Sequence, residues 1–474
     1  KLANNYKNTY PTISEIFKGN KPIFEGLYIY DKWDWNETFP VIKISFAVGD
    51  FSSKETLIAS VKEVLRTNCE QLDVLYGDYQ GLNLGQSFER IIRNVSQHYN
   101  KKVVILVDEY DKPILDNIHR DDRQPAMDAR DVLRNFYSAI KAADEFIRFV
   151  FLTGVSKFSK LNLFSGLNNL TDITLHEHYS TITGYTNDDL KSHFPEYLQQ
   201  TDIEEVKRWY NGYNYFGEPI YNPFDILLFL DNNCRFSNYW WKTGNPSFLI
   251  EMLKKGNYYL PDLEHITVSE ETLEAFDIEH INLVALLWQT GYLTFDERIN
   301  IFNRLSYRMK IPNLEIQNSL NALFLEYLTN LQSEKAGLQN SGAMSLYEGN
   351  LDVFKNTLHK LFSSIPYSNY VNNTIGNYEG YYSSVVYTFL AGLGFDVVAE
   401  DTTNRGRIDM TIKLPNRIYI VEFKVDMNEE AAIEQIKTKR YFEKYRHENK
   451  EIIMLGIHFS SEQRNIQEFV WEIL

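Results

Sequence analysis

Two apolar segments near the C-terminus, joined by a Leu-Pro-Asn-Arg turn, constrain the fold of this chain most strongly. Residues 406–412 carry Asp409, and residues 418–425 carry Glu422 and Lys424. Alternating apolar residues around a turn that contains Pro and Asn predict a β-hairpin. Side chains two positions apart on a strand point to the same face, so Glu422 and Lys424 are predicted to lie together.

Two carboxylates and one ammonium group directed at one point suit metal-dependent cleavage of a phosphodiester. Carboxylate oxygens are hard ligands for Mg²⁺. The metal activates a water molecule and neutralises phosphate charge, while the lysine orients the water or stabilises the pentavalent state. An ordinary solvated strand face is the alternative. The Ile-Tyr-Ile-Val run before Glu422 argues against it, because it predicts a central strand in which unpaired charges are costly.

A second pattern lies in the N-terminal third, where the apolar run 103–107 is followed by Asp108 and Glu109. Such a run predicts a parallel strand covered on both faces, and its C-terminal end is where open α/β sheets bind ligands. The alternative is a turn that carries two incidental acids. A strand is predicted at 39–46 and another ends before Thr153, so the order strand, helix, strand, helix predicts a doubly wound parallel sheet.

The C-terminal hairpin resembles the PD-(D/E)XK nuclease superfamily. On that resemblance, Asp409 matches the metal-binding Asp, Glu422 the second acidic ligand and Lys424 the catalytic Lys. Ile408 stands where the superfamily's motif has Pro, a departure that many members share. The implied fold is an α/β restriction-endonuclease-like domain with Mg²⁺ as its cofactor.

The segments around the hairpin extend this resemblance to the order helix, strand, strand, helix, strand. Residues 378–394 are similar to the first core helix, where Glu379 is either an extra metal ligand or a charge favoured by the helix dipole. Residues 430–445 predict one amphipathic helix, similar to the Gln…Tyr helix of RecB-like members. Its Gln435 is then a catalytic residue and Tyr441 its companion, unless both lie on the helix surface. Residues 451–459 predict the last strand.

The N-terminal pattern resembles the Walker B strand of AAA-type P-loop ATPases. The resemblance implies that Asp108 holds Mg²⁺ and that Glu109 polarises the attacking water. Thr153 is the candidate sensor residue, and the alternative is that it is part of a plain turn. The Walker A loop is missing, because none of the 23 glycines is followed by Lys. Either the domain has lost nucleotide binding, or a loop between Tyr10 and Thr12 is omitted from this chain. The retained acids favour the second interpretation, in which ATP is a cofactor.

Nearly the whole chain is similar to a bacterial family that joins an AAA-ATPase-like domain to a PD-(D/E)XK nuclease-like domain. The resemblance is carried by residues 27–35, 108–113, 154–158, 163–170, 209–213, 221–225, 290–293 and 422–424. It implies an ATPase-like domain at 1–185, a helical lid or winged-helix-like region at 186–300, a helical linker region at 301–365 and a nuclease-like domain at 366–474.

Composition limits the cellular setting and the partners. Two Cys residues exclude a disulfide framework, and the sequence has neither a long apolar run nor a signal-peptide pattern, so a cytoplasmic protein without a membrane span is expected. The net charge of −16 weighs against generic coating of DNA but allows a local basic groove. Basic residues of the last predicted helix alternate with acids and predict a solvated face: Lys437, Lys439, Arg440, Lys444 and Arg446.

These patterns predict an ATP-binding protein whose Mg²⁺-dependent nuclease domain hydrolyses nucleic acid, most readily DNA, under control of the ATPase. The resemblance links the family to defence against foreign DNA or to mobile elements. It also allows a homo-oligomer through the ATPase-like domain, since AAA-type sites often form between subunits. The alternative is a nucleotide switch or scaffold pseudoenzyme whose nuclease fold binds nucleic acid or a partner without cutting.

Overall fold

The computed structural model describes residues 9–77, 81–118, 120, 122–155, 163–164, 167, 169–199, 201–241, 266–274, 282–301, 304–329, 335–365, 379–392, 395–427 and 431–474. Parts of the segments 154–158 and 163–170, the ends of the helices predicted at 378–394 and 430–445, and the residues after 365 at the predicted domain boundary lie outside these ranges. The chain divides into two compact units. One comprises Lys1–Thr201, Asn211–Asn233 and Thr267–Arg308, and the other comprises Asp202–Tyr210, Cys234–Ile266 and Met309–Leu474.

The helices and strands of the described residues alternate along the first unit, and in the second unit helices precede a large sheet. The α-helices are α1 (Thr9–Phe17), α2 (Lys54–Gln71), α3 (Leu84–Tyr99), α4 (Lys112–Leu115), α5 (Gln124–Ala142), α6 (Asn187–His193), α7 (Pro195–Leu198), α8 (Ile203–Tyr210), α9 (Pro223–Asp231), α10 (Glu270–Glu274), α11 (Leu283–Gln289), α12 (Leu314–Thr329), α13 (Lys335–Glu348), α14 (Leu351–Ser363), α15 (Glu379–Ala391) and α16 (Ala431–Lys439). The strands are β1 (Val41–Ser45), β2 (Val103–Asp108), β3 (Ile147–Leu152), β4 (Thr267–Ser269), β5 (Thr294–Ile301), β6 (Arg304–Lys310), β7 (Asp396–Thr403), β8 (Gly406–Lys413), β9 (Arg417–Val425), β10 (Glu451–Ser460) and β11 (Asn465–Ile473). Among the described residues, no helix combines the length and the apolar character needed to cross a lipid bilayer.

A parallel sheet of three strands, in the order β1-β2-β3, organises the first unit. The apolar residues of β2 are all fully buried, so both of its faces are covered. Helix α1 packs on the face that presents Val104 and Leu106, while α2 contacts β1 and α3 contacts β2. This arrangement confirms the predicted parallel α/β architecture and places Asp108 beside Ser45 at the C-terminal edge of the sheet.

The middle of the chain is helical as predicted, with interruptions at prolines and polar turns. Three short helices, α6, α7 and α8, open this region. Helix α9 begins at a capping residue, because the Asn222 side chain accepts a hydrogen bond from the Phe224 N–H at 2.9 Å. Helix α11 is followed by β5, which belongs to a small sheet of order β4-β6-β5.

A mixed sheet of five strands, in the order β11-β10-β9-β8-β7, dominates the second unit. Strand β9 is central, antiparallel to β8 and parallel to β10. The predicted strand order was incomplete, because it lacked β7 before the hairpin and β11 after the last predicted strand. Both are edge strands with partly exposed side chains, so their apolar patterns are weaker than those of the central strands.

Helices α13 and α14 share one hydrophobic core with α15 and the five-stranded sheet. Leu346 and Phe354 lie in the same cluster of buried residues as Tyr419 and Phe423. The Tyr419 hydroxyl also donates a hydrogen bond to the Leu346 carbonyl at 2.7 Å. Helices from the region predicted as a linker, 301–365, thus help to form the core on which the sheet packs, and the bounds of the four predicted regions stay predictions.

The prediction of a single helix at 430–445 was wrong in one respect, because the α-helix ends at Lys439. Arg440 adopts a left-handed conformation with φ +52°, and a 3₁₀ turn, Tyr441–Lys444, follows. The change of direction buries Tyr441 and Phe442 against Ile408 in the cluster beneath α16. Burial of these aromatic side chains therefore outweighs the periodicity that predicts a continuous helix.

Candidate active site

The hairpin of β8 and β9 opens at the position of Asp409. Regular pairing runs from Lys413 opposite Ile418 to Met410 opposite Val421 and then stops. Beyond that point, the Asp409 N–H donates to Glu422 Oε1 at 3.4 Å, and Asp409 Oδ2 accepts from the Phe423 N–H at 2.8 Å. Side chains thus take the place of main-chain partners and bring two carboxylates together.

The neighbouring strand β7 is distorted at the same level. Its pairing with β8 omits Glu400 and Asp409, and Glu400 has a left-handed φ of +53°. The Glu400 carboxylate forms an ion pair with Arg407. Because of the distortion, Asp409 has no regular strand pairing on either side. Its side chain can therefore accept a hydrogen bond from the backbone of β9. Nothing in the sequence pattern predicted this distortion.

Glu422 is the fully buried member of the site, with 0% of its surface exposed. Gln435 Nε2 donates to Glu422 Oε2 at 2.7 Å. Lys424 Nζ lies 3.5 Å from the same oxygen and donates to the Phe423 carbonyl at 2.7 Å. The structure thus brings together Asp409, Glu422, Lys424 and Gln435, and their catalytic and metal-binding roles stay predictions.

The electrostatics of the two carboxylates, Asp409 and Glu422, fit a bound cation. Burial, followed by the charge of Asp409, raises the pKa of Glu422 to about 9, although Lys424 opposes part of this rise. Ionising both carboxylates therefore calls for more positive charge than Lys424 supplies. In the described part of the chain, no three His, Cys, Asp or Glu side chains are grouped for metal binding. A Mg²⁺ ion held by one or two carboxylates and several waters needs no such group.

Glu379 opens α15 and lies in the electrostatic neighbourhood of the hairpin. Burial raises the pKa of the Glu379 carboxyl, the charges of Asp409 and Glu400 raise it further, and Lys424 lowers it. Glu379 is therefore close enough to Asp409 and Lys424 to influence them. Its role as a metal ligand stays a prediction.

Tyr441 interacts with Gln435, and the close packing of this tyrosine depends on a glycine. Burial raises the pKa of the Tyr441 hydroxyl, while its hydrogen bond with Gln435 lowers it. A Cβ added to Gly406 would lie 2.9 Å from the Tyr441 oxygen, and the φ of Gly406 is +151°. Sequence reasoning missed Gly406, although a glycine at the start of a strand is a signal of close approach.

The N-terminal candidates also meet, at the edge of the parallel sheet. Thr153 Oγ1 donates to Asp108 Oδ1 at 2.7 Å. Glu109 has a left-handed φ of +54°, and burial followed by the charge of Asp108 raises the pKa of its carboxyl. Sequence reasoning missed Asp111, which is fully buried and accepts a hydrogen bond from the Val155 N–H at 3.2 Å.

This edge fits the metal side of a nucleotide site better than the phosphate side. Asp108 offers a carboxylate and Thr153 fixes its orientation. Helix α1 runs without interruption through residues 10–12, where the resemblance places a missing loop. Tyr10 is buried there, and burial, together with the charge of Asp108, raises the pKa of its hydroxyl. Since the sequence has no Gly-Lys pair, the phosphates of a nucleotide would lack the donors of a Walker A loop.

Comparisons with known proteins agree with this division of sites. A family model described as Predicted AAA-ATPase matches residues 9–164, and one described as PD-(D/E)XK nuclease superfamily matches residues 377–469. A protein of Azotobacter chroococcum mcd 1, named an uncharacterized protein in vnfD 5'region, is 41% identical over 468 residues, which cover 98% of this chain and 89% of the relative. No solved structure matches the chain.

Proposed function

This chain belongs to a family that joins an AAA-ATPase-like domain to a PD-(D/E)XK nuclease superfamily domain, and we propose that it hydrolyses nucleic-acid phosphodiesters with Mg²⁺. One observation carries the proposal most strongly. Glu422, a fully buried acid in the central strand of a sheet, lies beside Asp409 and Lys424. A buried carboxylate pair destabilises a fold unless another charge compensates it, so its presence points to a bound cation.

Each residue has a role that follows from its contacts. Asp409 and Glu422 would hold Mg²⁺, which when bound activates a water molecule and neutralises charge on the phosphate. Gln435 keeps Glu422 in place through its 2.7 Å hydrogen bond. Lys424, whose side chain is 12% exposed, can turn its ammonium group from Glu422 toward the attacking water or the phosphate. Glu379 is proposed as an additional acid at the same site.

We also propose that the ATPase-like domain controls cleavage. Asp108, Glu109 and Thr153 are the residues proposed for the metal and water side of an ATP site. Phosphate binding would need a loop that is not part of this sequence, so no hydrolytic step is assigned to them. Binding of labelled ATP to the full chain, and cleavage rates with and without ATP, test this control separately from cleavage itself.

The decisive experiment compares cleavage by the full chain with cleavage by two variants, Asp409→Ala and Lys424→Ala. Linear DNA, circular DNA and RNA are incubated with Mg²⁺ or with EDTA. We expect Mg²⁺-dependent cleavage by the wild type and none by either variant, while circular dichroism shows an unchanged fold. Lys439→Ala removes an exposed lysine of α16 and serves as the matched control.

Two outcomes would contradict the proposal. Cleavage at wild-type rate by both variants would assign the activity to another site or to a contaminant. A wild type that binds these substrates but never cuts them would support the scaffold alternative, in which the nuclease fold only binds nucleic acid.

A further inference from the structure

Two exposed arginines near the candidate active site share one glutamate. Arg405 Nη2 lies 3.5 Å from one carboxylate oxygen of Glu443, and Arg440 forms an ion pair with the other oxygen. The two arginine side chains are 40% and 47% exposed, and Glu443 is 32% exposed. The cluster therefore carries a surplus of one positive charge that faces solvent.

A chain of contacts links the backbone of this cluster to the proposed metal ligands. Arg405 directly precedes Gly406, and Arg440 directly precedes Tyr441. Gly406 and Tyr441 are in close contact. Tyr441 in turn contacts Gln435, which is hydrogen-bonded to Glu422. Arg405 and Arg440 are therefore each one residue along the chain from the contact between Gly406 and Tyr441.

Two other cations of this region each pair with an acid of their own. Arg407 pairs with Glu400, and Lys444 pairs with Asp401. Glu443 differs from these partners because it serves two arginines. In a chain with a net charge of −16, a nucleic acid is repelled by the average surface, so local surplus positive charge decides where its backbone approaches.

We propose that Arg405 and Arg440 bind the phosphate backbone of the nucleic-acid strand next to the scissile phosphate, and that Glu443 is a counter-charge which phosphates displace. Guanidinium groups form two parallel hydrogen bonds with phosphate as well as with carboxylate, so an incoming phosphate competes directly with Glu443. The inference rests on the proposed function, because it assigns the substrate contacts of the same site.

The test measures binding of a fluorescein-labelled DNA duplex of mixed sequence to the full chain by anisotropy, in EDTA, over a range of salt concentrations. We expect Arg405→Ala and Arg440→Ala each to weaken binding and to reduce the slope of log K against log salt by about 0.9. We expect Glu443→Gln to tighten binding about two- to fivefold, the range that a partly exposed ion pair allows.

Matched controls come from an ion pair of the same unit. Lys437 and Glu472 lie 2.6 Å apart and are 47% and 45% exposed. Lys437 extends toward β11, whereas Gln435 of the same helix extends toward β9. Lys437→Ala and Glu472→Gln change the net charge as the test variants do, and both should leave the affinity and its salt slope close to those of the wild type.

The inference fails if the control variants shift affinity and slope as much as the arginine and Glu443 variants do. That result can occur while the wild type still cleaves DNA with Mg²⁺, so the proposed function would survive. Conversely, the expected binding pattern in a wild type that never cleaves would refute the proposed function and leave this backbone contact standing.

Discussion

The two candidate sites differ in how widely their parts are spread along the chain. The C-terminal site is formed by a hairpin and the helix that follows it, with Asp409 and Gln435 as its outermost polar contacts. The N-terminal site joins α1, the end of β2 and the end of β3, from Tyr10 to Thr153. In the candidate site built from adjacent elements, Asp409, Lys424 and Gln435 all contact Glu422. The dispersed candidate site brings Asp108 and Thr153 together, but the sequence has no Gly-Lys pair for a phosphate-binding loop.

Burial separates the two sites even more clearly. Glu422 is 0% exposed in a central strand, whereas Asp108 and Glu109 are partly exposed at the end of a strand. Acids at a strand end remain solvated and cost the fold little, so they can persist without a ligand. A carboxylate in the middle of a sheet is removed from water and destabilises the fold unless it is compensated. Its presence is therefore the stronger sign of function.

The largest expected effect is seen when an acid is replaced with its amide at each site in turn, because only the C-terminal variant should lose activity. Glu422→Gln removes the buried carboxylate at constant size and should lower Mg²⁺-dependent cleavage by at least about 100-fold, the scale of losing one key electrostatic group. Asp108→Asn should leave cleavage without nucleotide unchanged. Initial rates on labelled DNA measure both variants. Equal losses would show that the N-terminal acids belong to the cleavage machinery and that the two sites do not differ in this way.

An intermediate effect should follow from the support of Glu422. Gln435→Glu replaces the amide that donates to Glu422 Oε2 with a third carboxylate, and cleavage should fall about 10- to 100-fold, as for other partners of metal ligands. Glu434→Gln, at the exposed neighbouring position, is the control and should be silent. Mg²⁺ titrations of the cleavage rate separate weaker metal binding from slower chemistry. A variant as active as wild type would reduce Gln435 to a surface residue.

The smallest effect is expected at the N-terminal site and on stability alone. Thr153→Val removes the hydroxyl that donates to Asp108 at 2.7 Å, and should cost about 1 kcal/mol because the bond reaches a charged, partly exposed acceptor. Thr153→Ser keeps the donor and should cost less. Differential scanning calorimetry compares the variants, with cleavage as an independent readout. If Thr153→Val slowed cleavage in the absence of nucleotide while stability stayed constant, basal cleavage would depend on the N-terminal site.

Much of the C-terminal site could be predicted because it depends on local patterns. Alternation and the turn predict the hairpin, and spacing places Glu422 and Lys424 on one face. The apolar run before Glu422 predicts its burial. Gln435 was harder to interpret from its own helix, because its partner lies on a strand and only the folded structure brings the two together.

Three features could not be predicted, because each depends on packing between segments. Regular pairing of β8 with its neighbours is interrupted at Asp409 and Glu400. Helix α16 ends at a left-handed Arg440, a residue type with good helix propensity, because the aromatic residues that follow become buried. The pairing of Arg405 with Glu443 joins a strand turn to a 3₁₀ turn, which periodicity does not relate.

The hydrogen bond from the Phe423 N–H to Asp409 has a consequence for observation. In a regular β-ladder, the NMR signal of this amide would depend only on hydrogen bonding between strands. Here the acceptor is the carboxylate of a proposed metal ligand, 2.8 Å away. A cation that draws electron density from this carboxylate changes the shielding and the exchange rate of one backbone proton. The chain therefore contains its own spectroscopic probe, through which ion binding can be followed in the resting protein without substrate and without turnover.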